Sequence, residues 1–239
     1  MTMPALLQVR GLCASYADHR VLHDLSFTLD EGQIVSILGR NGAGRSSLLK
    51  AIMGILPGQG EICFLGRPIL AWPIWKIARA GIAYVPETRD VFPHLTCLQN
   101  LQLGLQSGSS QSKHRHWHID EVLDLFPRLR ERAKVDAACL SGGEQQMLSI
   151  ARSLLGNPKL MLIDEPTEGL APQIVEQLRA CFLLLKARGI SIILVEQKLD
   201  MALQISDSIH LLGQGRLVFS GDLEDFTQAR DLRQQWLEI

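Results

Sequence analysis

The chain has no run of about 18 apolar residues, the length a helix needs to cross a bilayer. Its apolar stretches stop short, as at residues 182–185 and 190–195. It also lacks charge of one sign: 24 Lys and Arg face 25 Asp and Glu, so composition gives no support to sequence-independent nucleic-acid binding or an acidic tail. Paired cysteines are missing too. Cys13, Cys63, Cys97, Cys139 and Cys181 are odd in number and never spaced as CxxC, which argues for reduced thiols over a disulfide framework or a zinc site. The opening residues MTMPALLQVRG carry no basic segment followed by an apolar signal core, so a cytoplasmic location is expected. What is present is 46% hydrophobic residues over 239 positions, enough to fill the core of one large α/β domain.

Local patterning predicts strands near residues 6–9, 26–29, 33–38, 61–65, 82–85, 159–163 and 191–195, bounded by glycine, proline and polar turn residues. Helical spacing of Leu48, Leu49, Ile52 and Ile55 predicts a helix from Ser46 that stops before Pro57, and a second helix covers 173–187. Alternation of this kind predicts a largely parallel sheet covered by helices. A hairpin is expected around 213–215, and the tail 222–239 reads as one amphipathic helix. Residues 95–140 read as a mostly helical subdomain, with residues 1–94 and 141–239 forming the rest of a single domain. Within the subdomain, residues 108–118 (GSSQSKHRHWH) cluster basic and imidazole side chains around Trp117. That composition suggests a metal or anion site, yet the spacing matches no metal template, so the stretch is read as a solvated loop.

Three motifs carry chemistry. Residues 39–47 (Gly39, Arg40, Asn41, Gly42, Ala43, Gly44, Arg45, Ser46, Ser47) fit the phosphate-binding loop GxxxxGK[ST] except that Arg45 stands in the lysine position. Glycines there let backbone N–H groups converge on phosphate oxygens, the following helix N-terminus favours an anion, and Ser46 offers a hydroxyl for Mg²⁺. A purely structural glycine turn explains the glycines alone, but not the strand, loop and helix around them. Residues 160–165 (LMLIDE) form an apolar strand ending in Asp164 and Glu165, an arrangement in which one carboxylate serves Mg²⁺ and the next polarises a water. Residues 140–146 (LSGGEQQ) place Ser141, Gly142, Gly143 and Glu144 where a helix N-terminus can present a hydroxyl and N–H groups to an anion.

The last motif, after the other two in this order, resembles the signature of ATP-binding-cassette ATPases, and the resemblance covers almost the whole chain. It implies a phosphate-loop α/β fold with a largely parallel core, an N-terminal antiparallel β-subdomain and a helical subdomain leading to the signature. It also implies two nucleotide-binding domains packed head to tail, the signature of each closing on the γ-phosphate held by the other. Carried over residue by residue, Tyr16 stacks on adenine, residues 39–47 bind phosphates, and Ser46 and Asp164 serve Mg²⁺ with Glu87 nearby. Glu165 polarises water, Gln197 sits where a γ-phosphate sensor belongs, and Ser141 to Glu144 reach the partner's nucleotide. Most of the family has Gln at the position of Glu87 and His in the region of Gln197. Glu87, Gln197 and Ala171 instead look like the second ATPase subunit of importers for branched-chain amino acids, or of their urea and amide relatives. The partners implied are a second cassette, identical or different, two membrane permeases and an extracellular or periplasmic binding protein, at the cytoplasmic face of the plasma membrane, with no nucleic acid. ATP and Mg²⁺ are the implied cofactors.

Arg45 departs even from that subgroup. Arginine keeps the charge but replaces a compact ammonium with a broad planar fork, which puts this subunit's own turnover in doubt. Two other readings stand beside the importer: a soluble cassette ATPase of translation or DNA repair, for which 239 residues leave no second cassette or long coiled coil, and a non-hydrolysing regulatory subunit.

Overall fold

The structure, a computed structural model, describes residues 5–105 and 117–237. Two sheets organise it. The smaller is antiparallel in the order β2-β1-β4-β5, built from β1 (Leu7–Tyr16), β2 (His19–Leu29), β4 (Gly58–Phe64) and β5 (Arg67–Pro68). The larger runs β10-β9-β3-β8-β7-β6, from β3 (Ile34–Leu38), β6 (Ile82–Val85), β7 (Leu160–Asp164), β8 (Ser191–Glu196), β9 (Ser208–Gly213) and β10 (Arg216–Asp222). Every pairing in it is parallel except the β9–β10 hairpin at the edge.

The interior strands are dominated by Ile, Val, Leu and Met, broken in β3 by the buried Ser36, because both faces of the sheet are covered. Side chains alternate between two cores. On β7, Leu160 and Leu162 join β1, β2, β4 and α1 (Arg45–Ile52), while Met161 and Ile163 face α6 (Gly142–Leu154) and α7 (Pro172–Ala187). Burying both sets fixes the register, since a one-residue slip would exchange the two cores. That register sets the ends of β3, β7 and β8 side by side, which is where the chemistry-bearing residues emerge.

The remaining helices are α2 (Ile74–Ala80), α3 (Cys97–Gly104), α4 (Ile119–Leu125), α5 (Pro127–Glu131), α8 (Leu199–Ile205), α9 (Leu223–Gln228) and α10 (Arg230–Trp236). Thr96 starts α3 with a capping box, its hydroxyl accepting from the Gln99 N–H while the Gln99 side chain accepts from Thr96 N–H. Leu101, Val122, Leu129, Met147 and Leu148 bind α3 to α6 into one apolar cluster.

Three expectations need correction. β1 and β2 are far longer than the apolar stretches at 6–9 and 26–29, because strand pairing continues through residues whose alternate side chains are half-buried or exposed. The tail is not one helix: Ala229, with ψ of 56°, breaks it into α9 and α10. Most of the polar stretch 108–118 lies outside the described residues, but Trp117 is buried rather than solvated. Its ring lies under the Arg188 guanidinium, 4.4 Å from the ring centroid, and the Trp117 backbone N–H donates to Asn157 Oδ1.

Candidate functional site

β3 leads straight into the loop of residues 39–44, and α1 begins at Arg45. Two glycines make this turn possible. At Gly39 a Cβ would lie 2.4 Å from the Leu212 carbonyl oxygen, and Gly44, the residue before α1, has φ of +102° with Leu22 and Val21 close against it. No side chain caps the start of α1 and no acidic residue lies in its first turn, so its first N–H groups are free to meet an anion.

Asn41, Gly42, Gly44, Arg45, Ser46, Ser47, Glu87 and Glu165 line one open cavity of about 410 Å³, together with Val21 and Glu168. Beneath them the Ser46 hydroxyl donates to Asp164 Oδ1 at 2.9 Å, and the Tyr84 hydroxyl donates to Asp164 Oδ2 at 3.2 Å. Glu165 follows β7 in the left-handed region, φ +44°, held there by its N–H donating to the Val195 carbonyl. A non-glycine residue in that region costs free energy that the surrounding structure must offset, and such positions gather at functional sites.

Arg45 lines the cavity without projecting freely into it. Its side chain, 4% exposed, folds back so that Nη1 donates to the Glu196 carbonyl at 2.9 Å. Nη2 donates to Asn41 Oδ1 at 3.0 Å and to Glu165 Oε1 at 2.5 Å. Glu165 is nevertheless pushed above the usual carboxylate range: burial is the largest cause, and Glu168, Glu87 and Asp164 add to it against the opposing pull of Arg45. Burial also raises Asp164, opposed by its two hydroxyl donors and by Lys50 and Arg45, and it raises Glu87 with help from Glu168 and Asp164. Glu87, Glu165 and Glu168 thus line the cavity with Asp164 beneath them, a setting that favours an arriving cation.

The paired Ser46 hydroxyl and Asp164 carboxylate fit Mg²⁺, which keeps several waters and takes only one or two protein ligands beside substrate phosphates.

Other residues named from sequence lie apart. Arg40 and Ala43 line a neighbouring cavity with Leu212 and Trp236. Tyr16, 46% exposed, and the exposed Gln197 do not line the 410 Å³ cavity. Ser141, Gly142, Gly143 and Glu144 are also outside it, at the start of α6. There the Ser141 hydroxyl accepts from the Glu144 N–H, while the Glu144 carboxylate accepts from the Ser141 N–H and pairs with Arg132. Those contacts hold Glu144 below its ordinary range despite burial. The Arg89 guanidinium lies against Gly142, close enough that a Cβ there would meet Nη1 at 2.8 Å.

Sequence reasoning missed Tyr84, Glu168 and Glu196. Glu196 is buried, accepts from the Thr167 N–H at 3.2 Å and lends its carbonyl to Arg45. It adjoins Gln197, and only the sheet register reveals that it, not its neighbour, turns inward.

A model of the family described as ABC transporter matches residues 22–168. The high-affinity branched-chain amino acid transport ATP-binding protein BraG of Pseudomonas aeruginosa is 42% identical over 205 residues, covering 85% of this chain and 87% of that protein. The probable branched-chain amino acid transport ATP-binding protein LivF of Archaeoglobus fulgidus is 35% identical, covering 93% and 94%. The lipopolysaccharide export system ATP-binding protein LptB of Haemophilus influenzae is 29% identical, covering 98% and 97%. In fold, the chain resembles the ADP conformation of an ATP-binding cassette of an ABC transporter, with a TM-score of 0.83 at 24% identity over 97% of this chain and 98% of that one. The family match runs from β2 through the phosphate loop and the start of α6 to the carboxylate pair after β7, and the chain belongs to the ABC transporter family as one of its ATPase cassettes.

Proposed function

We propose that this chain is the ATP-hydrolysing, energy-coupling subunit of an importer for branched-chain or related amino acids. Similarity to BraG and LivF supports the substrate class, and the position of Glu165 on the rim of the phosphate loop, within reach of Arg45, carries the site assignment.

In this reading Gly39 to Ser47 cradle the phosphates of ATP through backbone N–H groups and the N-terminus of α1. Ser46 and Asp164 would hold Mg²⁺, with Glu87 nearby; a bound ion would supply positive charge against that of the phosphates. Glu165, once unpaired from Arg45, accepts the proton of the attacking water, and Gln197 senses the γ-phosphate from the end of β8. Tyr16 offers an exposed ring for adenine to stack on. Ser141, Gly142, Gly143 and Glu144 stand outside this chain's own cavity and serve the nucleotide bound by a second cassette, so two cassettes make each site. Opening and closing of that dimer drives two permeases, which receive substrate from a binding protein outside the membrane. Selectivity resides in those partners, so urea or short amides remain alternatives within the same mechanism. Among the described residues no helix is long and apolar enough to cross a membrane, in keeping with a peripheral subunit on the cytoplasmic face.

A second reading rests on Arg45. A guanidinium held by three protein acceptors is not presented to phosphates as a lysine would be, which favours a subunit with slow turnover at its own site that completes the site of its partner. The test is ATPase activity of the assembled transporter. Arg45→Lys accelerates turnover if the site is impaired; an unchanged rate in Arg45→Lys, combined with loss of activity in Glu165→Gln, overturns the impaired-site reading and leaves the working ATPase.

A further inference from the structure

Three of the five N–H groups of the Arg45 guanidinium are engaged by the protein, among them both protons of Nη2. Nη1 serves the Glu196 carbonyl, both protons of Nη2 are taken by Asn41 and Glu165, and the side chain is 4% exposed. The acceptors come from three places in the sequence: the phosphate loop, the turn after β7 and the end of β8. They converge because β3, β8 and β7 are neighbours in register, with Leu38 beside Glu196 and Asp164 beside Val195. A lysine ammonium has no planar fork with which to bridge these acceptors in the same way.

We propose that Arg45 and Glu165 form a latch that links nucleotide binding to release of the Glu165 carboxylate: phosphate oxygens and Glu165 compete for the Arg45 guanidinium, so that phosphates drawing Nη2 towards them part it from Glu165. The inference rests on the ATPase reading above and adds regulation to it. While paired, the Glu165 carboxylate gives one oxygen to the guanidinium and is drawn away from water. When the phosphates take the guanidinium, that oxygen becomes available as a proton acceptor at the moment substrate is in place. Arg45 is therefore a positioning residue for Glu165 as well as a phosphate ligand, a pairing that follows from arginine in the loop. The arrangement also lowers nucleotide affinity, because the pair must part before binding is complete.

The test is a double-mutant cycle on the affinity of the full-length chain for the magnesium complex of adenylyl-imidodiphosphate, measured by calorimetry at concentrations where light scattering shows a monomer. Glu165→Gln tightens binding by about tenfold in the presence of Arg45, the scale expected when a hydrogen bond between charged groups no longer has to be broken. Glu165→Asp, which keeps the charge but shortens the arm, tightens it as well. In the Arg45→Ala background both substitutions at 165 change affinity by less than about threefold. Equal tightening by Glu165→Gln in both backgrounds overturns the latch, because it reports only removal of negative charge near phosphates. No response to Glu165→Asp overturns it as well. Failure of every variant and of the wild-type chain to bind nucleotide, with the melting transition intact, overturns the ATPase reading and the latch together.

Discussion

Arg45 Nη2 lies 2.5 Å from Glu165 Oε1, so the residue in the lysine position of the phosphate loop is paired with the carboxylate that follows β7. Both ends of this pair are held by backbone: Arg45 opens α1, and Glu165 is fixed in a left-handed turn by the Val195 carbonyl. Replacing Glu165 by Gln keeps the size and hydrogen-bonding capacity of the side chain but removes its basicity. Turnover of the assembled transporter is predicted to fall at least about 100-fold, the usual scale of a lost general base, while nucleotide binding persists. Steady-state phosphate release alongside nucleotide trapping measures both.

Gly39 approaches the Leu212 carbonyl too closely for any side chain, and its φ is +157°. Gly39→Ala must push the phosphate loop off the end of β9. Destabilisation of about 1–3 kcal/mol is expected from such overpacking, with nucleotide affinity lost in parallel. Urea unfolding gives the first quantity and calorimetry the second. Gly42 provides the comparison. A Cβ there would meet nothing within 4 Å, but its φ is +80°, so Gly42→Ala suffers backbone strain without the clash.

Ser141 closes a reciprocal capping box with Glu144 at the start of α6. Ser141→Ala removes the acceptor for the Glu144 N–H and should cost about 1 kcal/mol of stability, read as a modest fall in Tm. Its effect on ATPase activity should appear only when two cassettes are assembled, because Ser141 is not part of this chain's own phosphate cavity. A comparable loss of nucleotide binding by the monomer would place the signature in the wrong role.

His210 on β9 is buried against Phe27, with ring centroids 5.2 Å apart, and neither ring nitrogen has a hydrogen-bond partner among the described residues. Burial alone lowers its pKa to about 4 from an ordinary value of 6.5. The imidazole therefore stays neutral in the folded chain while the unfolded chain takes up a proton as pH drops through 6.5, and stability falls with acid until the folded form titrates near 4. The full effect is on the order of 3 kcal/mol. Between these limits His210→Leu should flatten the pH dependence of the unfolding free energy, as measured by denaturant titration at several pH values.

Much of this was legible from residues in order. The strand over 82–85 matches β6, and the apolar stretches at 33–38, 159–163 and 191–195 match β3, β7 and β8 to within a residue, because buried parallel strands leave largely aliphatic runs. The phosphate loop was legible because each glycine in it answers a local backbone demand. The direction of the Arg45 side chain was not, since Asn41 is local but Glu165 and Glu196 reach it only through sheet register. The break at Ala229 escaped because the apolar positions of the tail continue across it; docking of Phe226 and Trp236 on the β9–β10 edge, not periodicity, decides where the helix stops.

The central claim is that ATP hydrolysis at this site powers uptake. Its most direct test is accumulation of labelled leucine, isoleucine and valine by proteoliposomes holding the assembled transporter, with the binding protein outside and ATP within. ATP-dependent uptake of at least one of these amino acids is expected, together with its loss in Glu165→Gln. Uptake that persists in Glu165→Gln, or ATP hydrolysis with no amino acid transported, would contradict it.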